Sequence, residues 1–268
     1  MKITKHFPFE PEPSQLPLLF SKGDWVDCSR YWLNTASQGS VDWLTARKGL
    51  VPLEFLTEGE STNGKILISS RLTGSNFGAA AGFSKFTTPD ELVLYISGLE
   101  EKKFSEESLS NMSHGNAYEP IARRWYEETT GMTVEEVGLA VPKWNFHLGA
   151  SVDGIVKDSN GMVEIKCPKK MYKPLADHIH FRSTGWKPGN RHYHNHIWDS
   201  HYAQMQGGMA ILKRGWCDYV VYSTSDGKAY KERIFFNEEY WERRLYPRLQ
   251  SFLYNHLFPV LENIIGKY

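Results

Sequence analysis

Cysteine is scarce. Cys28, Cys167 and Cys217 are the only three in 268 residues, far apart and odd in number. No C-x-x-C pair occurs, which argues against a structural zinc knuckle, a four-cysteine iron–sulfur centre or a disulfide framework, and suits a reducing compartment. Long apolar runs are also missing; none approaches the ~20 residues of a membrane span. The stretch Met1–Glu10 has no apolar h-region, so the expectation is an intracellular chain that is neither secreted nor membrane-bound. Net charge is absent as well: 31 Lys and Arg balance 31 Asp and Glu. Any positively charged surface must therefore be local. Gly74, Gly78 and Gly82 are not followed by G-K-[ST], so they form no Walker-type phosphate loop and ATP is not indicated. Internal repeats and low-complexity tracts are lacking.

What is present is ordinary globular composition, 41% apolar and 23% charged. The nine Trp, 14 Tyr and 14 Phe exceed the needs of a minimal core, and some could serve as stacking surfaces. Residues 1–37, rich in proline and aromatics, read as an arm or irregular cap. Residues 38–236 read as the core of one domain and 237–268 as a C-terminal helical segment.

Helix signals recur along the core. Ser40 is a plausible N-cap for a helix ending near Lys48, and Thr88-Pro89-Asp90-Glu91 opens one that runs to about Leu99. Asn116–Thr130 has a strong helical period, with Ala117, Ile121 and Trp125 in one row and Tyr118, Ala122 and Tyr126 in the next. Pro120 falls in the expected first turn and Gly131 ends the helix. Asp199–Lys213 reads as a helix with Tyr202, Met205, Met209 and Leu212 on one side. Glu238–Ile265 is mostly helical, with a bend expected near Pro247. Residues 71–83 are small and glycine-rich, as where a backbone must approach a neighbour closely. Two β runs, about His147–Lys157 and Met162–Cys167, flank Asn160-Gly161, a hairpin signal. Tyr219–Thr224 and Ala229–Phe236 form a second hairpin around Asp226-Gly227. The order implies a mixed α/β sheet flanked by helices.

The first hairpin carries the chemistry. With Asn160-Gly161 as a two-residue turn, Ile155 pairs with Lys166 and Lys157 with Glu164. Alternation along the strands then sends Asp153, Ile155, Glu164 and Lys166 to one face. A four-residue loop keeps that parity and a three-residue loop breaks it. Convergent carboxylates are costly unless a cation neutralises them, and hard oxygen ligands suit Mg²⁺ or Mn²⁺. An ion there would polarise a phosphodiester and activate a water, while a lysine would orient that water and offset developing charge. The plainer alternative is a surface hairpin with an Asp and a cross-strand Glu/Lys pair worth a few tenths of a kcal/mol.

The stretch Gly149-Ala-Ser-Val-Asp153-Gly-Ile followed by Val163-Glu164-Ile-Lys166-Cys-Pro168 resembles the D-x(n)-E-x-K core of the PD-(D/E)XK nucleases. More closely it resembles the phage lambda exonuclease and YqaJ-type viral recombinase family. Three further segments match in order: Trp43-Leu-Thr-Ala-Arg47-Lys-Gly49 with Leu72-Thr73-Gly-Ser75-Asn76, Gly115-Asn-Ala-Tyr-Glu119-Pro-Ile-Ala-Arg123, and Tyr202-Ala-Gln204-Met-Gln206. The likeness spans about residues 38–236. Two departures stand out: Val152 replaces the usual proline before the aspartate, and the Arg47 and Ser75 elements lie about 20 residues further apart than in the family's compact form.

The resemblance implies a restriction-endonuclease-like fold, a mixed central sheet flanked by helices. It implies a Mg²⁺-dependent exonuclease that degrades linear double-stranded DNA 5′→3′ and leaves 3′ overhangs for recombination. Asp153, Glu164, the Ile165 carbonyl and Glu119 would hold metal, by expectation two Mg²⁺ (or Mn²⁺) ions. Lys166 would hold the attacking water and Gln204 would assist, with Gln206 as the rival for that role. Arg47 and Ser75, with Thr73, would hold a 5′-phosphate. Trp43 would stack on a terminal base or serve the core. Met112 sits where the family places a strand-separating wedge, though a buried Met is the preferred reading. A homo-oligomer, a trimer by resemblance, and a single-strand annealing protein are the implied partners. The seven Lys and Arg between Lys166 and Arg191, against Asp177 alone, form a basic segment. Within His178–His201 the H-x-H spacing could bind zinc, but a loop touching DNA or solvent is preferred. An endonuclease with the same metal site, or a non-catalytic DNA-binding module, are the alternatives.

Overall fold

A computed structural model describes residues 25–52, 67–169 and 197–265. The chain runs β1 (Trp25–Asp27), β2 (Tyr31–Asn34), α1 (Val41–Lys48), β3 (Leu50–Pro52), β4 (Leu67–Ser69) and β5 (Leu72–Thr73). It continues through α2 (Gly74–Ala80), α3 (Pro89–Ser97), α4 (Glu106–Thr130), β6 (Val134–Glu135), β7 (Leu139–Pro142), β8 (Leu148–Gly149), β9 (Gly154–Val156) and β10 (Gly161–Lys166). Helix α5 (Asp199–Leu212) and strands β11 (Trp216–Tyr222) and β12 (Ala229–Phe235) follow. From Glu238 to Ile265 the chain stays helical, with π-helical stretches at Trp241–Leu245 and Leu253–Leu257. Pro247, where a bend was expected, comes directly after the first of these, where the ladder has already been displaced and its missing N–H costs least.

The central sheet has the order β12-β11-β10-β9-β6. Only β10 and β11 are parallel, with α5 as the last element of their crossover. The other neighbours are antiparallel. This is the mixed sheet flanked by helices that the element order implied. On one face, Ile155, Met162, Cys217, Tyr219 and Ile234 pack with α2, α3, α5 and the C-terminal helices in the larger core cluster. On the other, Val156, Val163, Ile165 and Val220 pack against Ala122 and Tyr126 of α4. Tyr126 Oη donates to buried Asp218 at 2.8 Å, and Arg233 grips the same carboxylate through Nε and Nη2 at 2.8 and 2.9 Å. The first of these bonds fastens α4 to β11, and the other two tie β12 to it.

Local signals explain most boundaries. Ser40 Oγ accepts from Trp43 N, capping α1. Thr88 and Glu91 form a reciprocal capping box with Pro89 in the first turn of α3. Helix α4 departs from expectation: it begins at Glu106 rather than Asn116, capped by Ser105, with Glu106 and Glu107 complementing its dipole. Its first half buries little, so no apolar period announces it, and Pro120 lies inside the helix rather than in its first turn. Of the two rows read from sequence, Ala122 and Tyr126 are buried while Ile121 is half exposed. The expected arm also differs in part. Strands β1 and β2 pair with each other, and β2 pairs with β7, in a three-stranded sheet. The glycine-rich stretch does make a close approach: a Cβ on Gly78 would stand 2.6 Å from the Ser200 Cα. Among the described residues no helix is long and apolar enough to cross a membrane.

Candidate active site

The chemistry-bearing hairpin forms with a different turn from the one expected. Gly161 pairs with Val156, Met162 with Ile155 and Val163 with Gly154, leaving a four-residue loop from Lys157 to Asn160. Asp158 takes the left-handed conformation in it, φ 52°. The register is shifted by an even number of residues relative to a two-residue turn, so side-chain parity survives. The long strand expected from His147 is broken into β8 and β9, and Asp153 stands just before β9. Continuing the ladder by one step puts Asp153 opposite Glu164. Gly154 beside it is obligatory, since a Cβ there would lie 2.1 Å from Val134 Cγ1 on the neighbouring edge strand.

Four functional groups meet at the end of β10. Asp153 Oδ2 accepts from the Ile165 N–H at 2.6 Å. Lys166 Nζ donates to Glu164 Oε1. Glu119, reaching in from α4, accepts from Arg123 Nη2 at 2.7 Å, and Arg123 also pairs with Glu136. The electrostatics report the crowding. Burial, then the Asp153 carboxylate, pushes Glu164 up to about 8 against the pull of Lys166. Burial raises Asp153, opposed by Lys166, the Ile165 amide and Arg123. Burial and Asp153 likewise raise Glu119. Burial alone would lower the Lys166 ammonium, but Glu164 and Asp153 outweigh it and hold the group well above the ordinary lysine range. Cys167, next along, is pushed up to about 12 by burial and by Glu119 and Asp153, which leaves it a thiol rather than a nucleophile.

This donor set fits a hard divalent cation. Glu164 is fully buried, and its Oε2 has no hydrogen-bond partner among the described residues. A buried carboxylate oxygen left that way is costly, and mutual repulsion of the acids adds to the cost. A cation ligated by oxygens would relieve both. As the side chains stand, no three His, Cys, Asp or Glu among the described residues form a ligand group. The reason is local: Glu119 is drawn onto Arg123 and Glu164 onto Lys166.

A second cluster lies on α1 and the start of α2. Arg47 Nη2 donates to Thr73 Oγ1 at 3.0 Å and to Ser75 Oγ at 2.9 Å, so the longer separation in sequence leaves the three side chains together. Burial lowers Arg47 from its ordinary value. Buried Arg71 braces the pair, donating to the carbonyls of Ala46 and Phe146 and tying α1 to β5. The Arg47 guanidinium lies 4.6 Å from the centre of the Trp43 ring, and Trp43 Nε1 donates to Ser151 Oγ at 2.9 Å. Trp43 also packs on the small cluster of Ala46, Leu139 and Val141, so its ring is already engaged by the fold.

Gln204 and Gln206 separate cleanly. Gln206 is buried, donates to the Phe235 carbonyl at 3.0 Å and accepts from Asn237 N at 2.8 Å, so its amide joins α5 to the end of β12. Gln204 is half-buried, and its Cγ lies 3.8 Å from where a Cβ on Gly74 would stand, at the start of α2. Met112 is 42% exposed, which corrects the expectation of a buried residue. The half of α4 that carries it has few neighbours in the core, so the described residues leave it largely uncovered. His178 to His196, and the basic segment beyond Lys169, lie outside the described residues.

Sequence reasoning gave no role to Arg123 or Tyr219, and read His201 only as part of the His-rich segment. Arg123 stands at i+4 from Glu119, a spacing that pairs charges on a helix and was available to be read. Tyr219 gives no such signal, because only the parallel pairing of β10 with β11 brings it beside Glu164.

Known proteins resemble the chain in fold. The alkaline exonuclease LHK-Exo from Laribacter hongkongensis superposes with a TM-score of 0.58 at 24% identity, covering 85% of this chain and 97% of that one. A structure of LHK-Exo in complex with dAMP gives a TM-score of 0.52 at 28% identity, over 74% of this chain and 91% of that one. No curated protein sequence matches the chain. The fold is restriction-endonuclease-like, as in these lambda-exonuclease-like nucleases. Residues 42–214 match the YqaJ-like viral recombinase domain, and the chain belongs to that family.

Proposed function

We propose that the chain is a Mg²⁺-dependent exonuclease that degrades linear duplex DNA from 5′ ends, leaving 3′ single-stranded overhangs for recombination. The observation that carries this reading is the junction of Asp153, Glu164 and Lys166 at one hairpin, with a buried Glu164 oxygen still lacking a partner. Kinship with the recombinase family and likeness to alkaline exonucleases support it.

Asp153, Glu164 and the Ile165 carbonyl would hold the ion, with Glu119 contributing to a second or outer position; two ions are proposed, Mn²⁺ serving in place of Mg²⁺. A divalent ion there supplies Lewis-acid polarisation of the phosphate and acidifies a water. The protein supplies the rest. The Ile165 amide fixes the Asp153 carboxylate, which keeps its other oxygen free for a ligand role. Lys166 is held as an ammonium by its two acidic neighbours. Its part is therefore to orient the attacking water and offset charge on the phosphate, not to accept a proton. Gln204 lies close to α2 and assists beside the water. Arg47, with Thr73 and Ser75, presents charge-assisted donors to a terminal 5′-phosphate. Exposed Met112 and half-buried Trp43 would meet the duplex end.

Residues 1–268 are read as one nuclease domain acting inside the cell. A homo-oligomer, in the trimeric arrangement expected from the family, would enclose the DNA, and a single-strand annealing protein would receive the overhang. Digestion of end-labelled linear duplexes in Mg²⁺, with and without 5′-phosphate and beside closed circles, tests the reading. The expected result is loss of label from 5′ ends of linear DNA only. Cleavage of closed circles would favour an endonuclease, and no cleavage in Mg²⁺ or Mn²⁺ would overturn the proposal.

A further inference from the structure

One of the acids proposed for the metal is held by an arginine that also holds a second acid. Glu119 and Arg123 stand one turn apart on the same side of α4. Arg123 Nη2 donates to Glu119 Oε1 at 2.7 Å, while its Nη1 pairs with Glu136 Oε1. The arginine side chain is 12% exposed and that of Glu119 29%, whereas that of Glu136 is 65% exposed. Glu136 directly follows β6, and continuing the β6–β9 ladder by one step puts it opposite Gly154, next to Asp153. Arg123 accordingly acts on the Asp153 carboxylate too, opposing the effect of burial. One largely buried cation thus stands at the rim of the metal position, between an inner acid and an outer one.

We propose that Arg123 is a positioning residue for metal binding: it stows Glu119 in the empty site, and Glu136 takes over the vacated nitrogen when Glu119 turns to a divalent ion. The inference deepens the metal-site reading and rests on it, since it takes Glu119 to be a ligand. Without a partner, Glu119 would face Asp153 and Glu164 as a third carboxylate, and like charges so close are costly. Arg123 supplies the partner. For Glu119 to reach an ion it must leave Arg123. That would strand a charged donor in a place largely shut off from water, which is expensive. Glu136 offsets the cost. Its side chain stands mostly in water and already meets Nη1, and the guanidinium fork can donate to one carboxylate through both Nη atoms. The exchange keeps every charge paired: Glu119 passes from one cation to another, and Arg123 retains a carboxylate throughout. A plain strut between α4 and the chain after β6 would need Glu136 alone, and metal affinity would be indifferent to it.

The test titrates the full chain with Mn²⁺ alone, without DNA, and follows the free ion by electron paramagnetic resonance at fixed pH and ionic strength. Glu119→Gln identifies the ion concerned as the one whose binding it weakens. Glu136→Gln should weaken that same ion about fivefold, because Arg123 then has no acceptor but Glu119. Arg123→Gln should tighten it, since Glu119 no longer has to be drawn off a cation. With Arg123→Gln already present, adding Glu136→Gln should change nothing further, because Glu136 acts only through the guanidinium. Should Arg123→Gln fail to fold by circular dichroism, the pair Glu119→Gln and Glu136→Gln decides: together they should bind no more weakly than Glu119→Gln alone. Affinity unmoved by Glu136→Gln would overturn the proposal. So would a loss that persists in either background, which would mark a through-space effect of charge. A wild-type chain that binds no Mn²⁺ overturns the metal reading itself. Binding that Glu119→Gln leaves intact overturns the exchange and spares the site of Asp153 and Glu164.

Discussion

The Asp153 carboxylate accepts the Ile165 amide proton at 2.6 Å, and this bond joins the residue before β9 to the far end of β10. One oxygen of Asp153 is thereby fixed by backbone, which is less mobile than any side-chain partner. The same bond turns the intervening peptide, so that the Ile165 carbonyl and the Glu164 and Lys166 side chains keep a constant relation to Asp153. Preorganisation of this kind makes an electrostatic site effective, because little reorganisation remains when charge develops.

Asp153→Asn keeps an acceptor for the Ile165 amide but loses the charge; Lys166→Ala removes the ammonium. Both variants should fold, judged by circular dichroism, and both should lose at least ~10²-fold in cleavage rate, the scale for deleting one preorganised electrostatic element. Digestion at the wild-type rate by both would discard the assigned site.

Glu164 gives stability a pH dependence. Its folded-state value is raised from 4.5 to about 8, so between those limits the folded chain holds a proton that the unfolded chain has released. Folding then binds more protons, and stability falls as pH rises through that window. The metal-free thermal midpoint should drop between about pH 5 and about pH 8, and Glu164→Gln should flatten the decline. Added Mg²⁺ should raise the midpoint more at the upper end, where the carboxylate is otherwise ionised without a ligand. A metal-free midpoint that climbs across this range would contradict the burial of that carboxylate.

Arg47 holds both Thr73 and Ser75 through one nitrogen. Replacing it by alanine should erase the rate preference for 5′-phosphorylated over 5′-hydroxyl ends, about tenfold in wild type on the scale of a charge-assisted contact. Internal metal chemistry should be unaffected, so metal-ion affinity should not change. An intact preference in Arg47→Ala, read from paired end-labelled duplexes, would move the phosphate pocket elsewhere.

Gly78 is a packing requirement rather than a functional group. A Cβ there would collide with Ser200 Cα and Cβ at 2.6 Å, and Ser200 is backbone of α5, which cannot step aside alone. Gly78→Ala should cost ~1–3 kcal/mol by overpacking, less up to ~1 kcal/mol from better helix propensity. Urea unfolding checks this; a more stable variant would show that α2 and α5 are free to separate.

Much of this was legible before any coordinates. Caps at Ser40 and Thr88 locate their helices because capping is a contact within four residues. The α5 row of Tyr202, Met205, Met209 and Leu212 is buried as its period implied. The face shared by Glu164 and Lys166 followed from alternation, which tolerated a wrong turn because the register slipped by an even number. Where burial was slight, the signal failed: the first half of α4, with Leu109 and Met112 exposed, has no period to read. The strands of the presumed arm were missed because each is three or four residues long, and β2 is held by β7, over 100 residues away.

Sequence alone determined which groups are available and which share a strand face, since alternation and helical period are properties of the local backbone. It also carried the family, whose motifs appear in order. The tertiary structure decided which of those groups meet. That Glu119 is engaged by Arg123, that Gln206 is spent on Phe235 and Asn237 while Gln204 is not, and that Tyr219 stands beside Glu164 all depend on strand order and helix docking. Those choices are set by burial summed over the whole chain, and no local stretch of residues contains them.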